Sequence, residues 1–148
     1  VKTARHALAI DEERTIFKPE LWIANDNVNS KQVWFSGVHC DIGGGYKERD
    51  LANIPLRWMT DEASKVGLKI DTASMLMFQK NPLAMQHDSL NAPINYKITW
   101  LQLTGKIRRP VLQTTTDESI DPSVFKRFGQ TVKKGNDNIV YQPSTSIC

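Results

Sequence analysis

Gln32-Val33-Trp34-Phe35-Ser36-Gly37-Val38 runs directly into His39-Cys40-Asp41-Ile42-Gly43-Gly44-Gly45-Tyr46, and this stretch decides the fold class. Its first half is short, mostly apolar, and rich in β-branched and aromatic side chains. That is the pattern of a strand buried on both faces, as in a parallel sheet. The run of glycines from Gly43 to Gly45 then ends regular structure and opens backbone angles closed to other residues. Asp50 to Leu68 reads as an amphipathic helix that starts near Asn53, with Pro55 in its first turn. Leu51, Ile54, Trp58 and Ala63 form its apolar stripe, and Gly67 is its stop signal. Strand, Gly-rich loop and helix in that order predict an α/β fold, with polar residues at the carboxyl end of a strand. Open α/β sheets bind their ligands there.

Outward from this centre the elements are shorter. Thr3 to Arg14 carries Ala and Leu at helical spacing and predicts a short helix, which Pro19 keeps from continuing. Leu21-Trp22-Ile23 predicts a brief strand, and Asn25 to Ser30 a surface loop dense in turn formers. Asp71 to Gln79 predicts a helix, while Tyr96 to Leu103 fits helix or strand alike. Asp121 followed by Pro122 is the signature of a capped helix start over 121–128. Residues from about 141 to 148 read as a tail. Residues 1–148 are expected to form part of one domain, or one domain. The chain opens on Val1, which predicts either a processed start or a piece of something longer.

Composition narrows the classes. The 148 residues are 40% apolar and 24% charged, which fits a soluble globular protein rather than a disordered chain. A net charge of +3 is too weak to name nucleic acid as a partner, and none is expected. No apolar run approaches the roughly 20 residues of a transmembrane helix, and the opening residues do not read as a secretory leader. Two cysteines, Cys40 and Cys148, make neither a disulfide framework nor a four-thiolate zinc site. The three histidines show no paired ligand spacing, so neither a metal nor a cofactor is expected.

Each site candidate has two readings. His39, on a loop just past a buried strand, is either a general base free to turn toward a nucleophile or a hydrogen-bonded loop histidine without chemistry. Gly43-Gly44-Gly45 lacks both the phosphate-loop and dinucleotide spacings, which favours a simple turn. Cys40, adjacent to His39, points elsewhere on an extended chain and suits a small buried filler. His6 reads as a surface or packing histidine. His87-Asp88-Ser89 holds the residue types of a hydrolase triad consecutively, whereas triads assemble from distant positions; a helix start capped by Asp88 or Ser89 is the simpler reading. Lys106 to Arg109 forms a basic patch, solvated or in contact with phosphate. Gly-x-Ser-x-Gly occurs nowhere in the chain. A hydrolase role for His39 therefore needs a nucleophile from outside it.

The segment Val33 to Tyr46 resembles the C-terminal part of an uncharacterised α/β-hydrolase domain family that includes the catalytic domains of type VI secretion phospholipase effectors. Arg5 to Glu12, Leu56 to Met59, and Asp61 to Ala63 are similar to it as well, and His87 to Ser89 and Asp121 to Arg127 match more loosely. The resemblance implies the C-terminal portion of an α/β-hydrolase fold, a mostly parallel sheet with flanking helices. It implies a Ser-Asp-His ester hydrolase, lipase- or phospholipase-like, whose serine and aspartate precede this region. His39 takes the place of the family's histidine, with Asp41, Gly43, Gly44 and Gly45 shaping the loop that presents it. The family usually has serine where this chain has Cys40, a swap that leaves the backbone unchanged. The implied partners are an ester or phospholipid substrate and an N-terminal half of the same domain. The implied location is the cytoplasm, or outside the cell as a secreted effector, and this chain alone is expected to be inactive. The alternative is a non-catalytic α/β module that binds a partner.

Overall fold

The computed structural model describes residues 1–90, 112 and 115–143. Three strands, β1 (Thr3–Ala9), β2 (Asn29–Phe35) and β3 (Glu118–Ile120), form a sheet in the order β1-β2-β3. Both pairings are parallel, with Thr3 opposite Asn29 through Ala9 opposite Phe35, and Gln32 to Trp34 opposite Glu118 to Ile120. The helices are α1 (His39–Gly43), α2 (Asn53–Lys65), α3 (Thr72–Met75) and α4 (Pro122–Arg127). Strands β4 (Thr131–Lys134) and β5 (Asp137–Val140) pair antiparallel as a separate hairpin. This is a partial α/β fold, as the central stretch predicts.

The double-sided burial expected of β2 is present. Val33 and Phe35 point to one face, where they pack with Leu51 and Ile54 at the start of α2. Trp34 points to the other face, against Leu8 and Ile10. Each of these side chains contributes on the order of 1.5–3 kcal/mol through removal from water. A third cluster, Val124, Val132 and Tyr141, joins α4 to the hairpin. Tyr141 is thus a core residue at the point where the sequence suggests a tail, and residues 144–148 lie outside the described residues.

Two expectations are corrected. Thr3 to Ala9 is a strand, not a helix. Its Ala and Leu content favours a helix, but parallel pairing with β2 and burial of Leu8 and Ile10 outweigh a propensity worth a few tenths of a kcal/mol per residue. The alternation is legible in hindsight, since the small Ala7 lies on the α2 side and Leu8 on the Trp34 side. Leu21 to Ile23 is not a strand. The buried Gln32 amide instead takes the part of a neighbouring backbone there, accepting from Trp22 N (2.8 Å) and donating to Trp22 O (2.9 Å). The Asp71 helix is confined to α3, while α2 starts at Asn53 and α4 carries the expected Asp121 cap, which accepts from Ser123 N. The segment Tyr96 to Leu103 and the basic patch at 106–109 lie outside the described residues.

Candidate active site

The chain leaves β2 through Ser36-Gly37-Val38 and turns into α1, so that His39 stands at the carboxyl end of the central strand with its side chain exposed. Each of three successive backbone N–H groups in this turn donates to a different buried carboxyl group. Gly37 N donates to Asp11 Oδ2 (2.7 Å), Val38 N to Asp41 Oδ2 (3.1 Å) and His39 N to Glu12 Oε2 (3.1 Å). Gly37 adopts a φ of 121°, and a Cβ there would lie 2.5 Å from the Asp41 Cβ. Only glycine fits so close to that side chain with a positive φ.

The carboxyl groups are themselves partnered. Asp11 and Glu12 come from the exit of the adjacent strand β1, and the Tyr141 hydroxyl donates to Asp11 Oδ2 (2.9 Å). Arg14 binds Glu12 through Nε and Nη2, both at 2.9 Å, and the Ser89 hydroxyl donates to Glu12 Oε1 (3.2 Å). Burial pushes the Glu12 carboxyl up, but the Arg14 bonds and the His39 N–H outweigh it, so it is held below the ordinary carboxylate range. Asp41 accepts from His87 N (3.2 Å) and from the His87 ring at Nδ1 (2.7 Å). The other ring nitrogen faces Glu48 at 3.4 Å, and Tyr46 stacks on the ring at 3.5 Å. Burial, then the nearby Cys40 and Asp41, push the Tyr46 hydroxyl up to about 12. Arg127, fully buried, sits over the Tyr141 ring, and its field reaches Asp11 and Asp41.

Asp41 thus holds the backbone of this turn at Val38 and ties it to His87. Gly43 closes α1, while Gly44 and Gly45, at φ 82° and 119°, lead the chain back past Cys40 to Tyr46. The amides of Gly37, Val38 and His39 ahead of these glycines are committed to carboxyl groups. His6 packs against Trp22. The chain directly after His87-Asp88-Ser89-Leu90 lies outside the described residues; Asp88 Oδ1 accepts from Leu90 N (3.0 Å), while His87 and Ser89 reach Asp41 and Glu12 separately. The roles of Asp11, Glu12 and His87 escape a reading by local pattern, because they bind partners between about two dozen and 130 residues away. Among the described residues no serine, threonine or cysteine hydrogen-bonds the His39 ring, whose contact is with Phe17 at 4.6 Å between ring centres.

A groove of about 860 Å³ runs beside this turn. Its wall includes Arg5 to Ala9 of β1, Phe17, His39, the three glycines and Leu56. It follows the length of β1, which has β2 on one side and, among the described residues, no strand on the other.

Residues 1–62 match the family model of the catalytic domain of Tle1-like phospholipase effectors of type VI secretion. The match covers less than half of the chain and includes β1, β2, the His39 turn and most of α2. The chain is also similar to the uncharacterized protein YEL023C of Saccharomyces cerevisiae, 36% identical over 66 residues. That alignment takes in 41% of this chain and 9% of the yeast protein, so the matched stretch is a small part of that relative's length. No solved structure matches the chain. Among the described residues no helix is long and apolar enough to cross a membrane.

Proposed function

We propose that this chain is the histidine-bearing, C-terminal portion of an α/β-hydrolase domain that cleaves carboxylic esters, phospholipids among them, by a Ser-Asp-His mechanism. The observation that carries the reading is the place of His39: exposed, at the carboxyl end of the central parallel strand, on a turn whose backbone is tied down by Asp11, Asp41 and Glu12. The likeness of residues 1–62 to a phospholipase catalytic domain supports it independently. His39 takes the proton of a serine hydroxyl as that oxygen attacks the ester carbonyl, and returns it to the departing alcohol. An aspartate outside this chain fixes the imidazole tautomer and stabilises the imidazolium. Backbone N–H groups at the serine turn hold the oxyanion, and loss of one such donor costs about 3 kcal/mol of barrier.

Serine and aspartate come from an N-terminal half of the same domain. The groove along the edge of β1, which no strand among the described residues pairs, is a fitting seat for it, because a parallel strand edge leaves N–H and C=O groups to be paired. Asp41 and Gly43 to Gly45 shape the loop that presents His39. This chain by itself hydrolyses no ester. In the longer polypeptide that carries a Gly-x-Ser-x-Gly segment beside these residues, His39→Ala abolishes ester cleavage while the circular dichroism spectrum stays unchanged. Retained cleavage would remove His39 from the mechanism. The second reading, a non-catalytic binding module, is favoured by the absence of a nucleophile against the His39 ring among the described residues. It takes the lead if the native species is a lone 16.8 kDa chain.

A further inference from the structure

We propose that Glu12, Arg14 and Phe17 form a closed clamp that sets the direction of the His39 imidazole, and so act as positioning residues for it. This rests on the reading of His39 as the base of the reaction. Four contacts close the circuit. The Glu12 carboxylate accepts the His39 backbone N–H at 3.1 Å. Arg14 grips both oxygens of that carboxylate, through Nε at 2.9 Å and Nη2 at 2.9 Å, and donates its own backbone N–H to Oε1 at 2.9 Å. The same guanidinium lies over the Phe17 ring, 4.0 Å from its centre. Phe17, held in a single 3-10 turn over Thr15–Phe17, then packs its ring on the His39 imidazole at 4.6 Å and 41°.

The two ends of the His39 lever, its backbone nitrogen and its ring, are thus each held by a group that Arg14 holds in turn. A planar guanidinium is suited to this double duty, since it binds a carboxylate edge-on while its face remains free to stack. Burial makes the arrangement stiff, because Glu12 is 1% exposed and its carboxylate has no solvent to turn toward. His39 has no side-chain hydrogen bond among the described residues, so the Phe17 contact is what selects its orientation. Precise aim matters for a base, since a misplacement of about 1 Å is enough to cost on the order of 10²-fold in rate.

The test is nuclear magnetic resonance of the isotopically labelled 148-residue chain, in the wild type and in Arg14→Ala, Phe17→Leu and Phe17→Tyr. Three-bond couplings report the χ1 rotamer of His39, and its ring protons report the ring current of Phe17. The expected result is one rotamer with shifted ring protons in the wild type and in Phe17→Tyr. In Arg14→Ala and Phe17→Leu the couplings average and the shift disappears, with the Trp34 and Val33 resonances unmoved. Wild-type couplings in Phe17→Leu overturn the clamp, and that variant decides alone should Arg14→Ala fail to fold. The same substitutions in the longer polypeptide are expected to lower kcat on the order of 10²-fold with KM unchanged. Averaged couplings together with an undiminished kcat would leave the clamp standing and overturn the reading of His39 as the base.

Discussion

Gly37 shows what one residue does for the site. Its φ of 121° and the 2.5 Å that would separate an added Cβ from the Asp41 side chain leave no room for anything larger than hydrogen. Gly37→Ala is expected to lose at least the ~1–3 kcal/mol of a strained backbone conformation, and more through displacement of Asp41, which also holds Val38 N and His87. A urea titration checks this, and a midpoint unchanged from the wild type would contradict it. The place of His39 is legible in the sequence because it is set locally: a buried strand stops and glycines follow. Asp41 is only half legible. Its place in the loop can be read from the sequence, but its ring partner is His87, 46 residues away, and no spacing rule connects them. Glu12 is not legible at all, since its task depends on β1 lying beside β2.

At the scale of elements, α2 is held to the sheet by apolar packing at its start and by charge toward its end. Glu62 on α2 receives Arg5 of β1 at 2.5 Å, Lys31 of β2 at 3.1 Å and Lys65 of its own helix at 2.7 Å. The Lys65 bond, followed by those of Arg5 and Lys31 against the opposing push of burial, brings its carboxyl down to about 2 from an ordinary 4.5. A folded value below the unfolded one means that the stabilisation is fully present above about 4.5 and is lost as the pH falls through about 2. Glu62→Gln is therefore expected to flatten the acid limb of a stability-against-pH curve between these values, and an unchanged limb would assign acid sensitivity elsewhere. The helix is readable because its stripe, its proline and its terminal glycine agree. Strand β1 is not, because Thr3 to Ala9 favours a helix by residue type and becomes a strand through pairing with a partner 26 residues on.

Over the whole molecule, apolar clusters on both faces of β2 are joined to the α4 and hairpin cluster by a thread of buried charge. Arg127 sits fully buried, donating to the carbonyl oxygens of Pro82 (2.6 Å) and Ala84 (2.8 Å). Burial pulls its guanidinium below the ordinary arginine value, while Tyr141, Asp11 and Asp41 pull the other way. Tyr141 in turn is pushed up by burial first and by Asp11 second. The end of the described chain thus braces the turn near its beginning, a link that a reading by local elements cannot see. What this leaves at the exit of β2 is a paradox of exchange. His39 faces solvent, yet its amide and those of Gly37 and Val38 point into buried carboxyl groups. Hydrogen–deuterium exchange is expected to find these amides nearly as slow as those of β2, and prompt exchange would show that the turn opens on its own. A side chain offered to the outside is carried on a backbone that water reaches last.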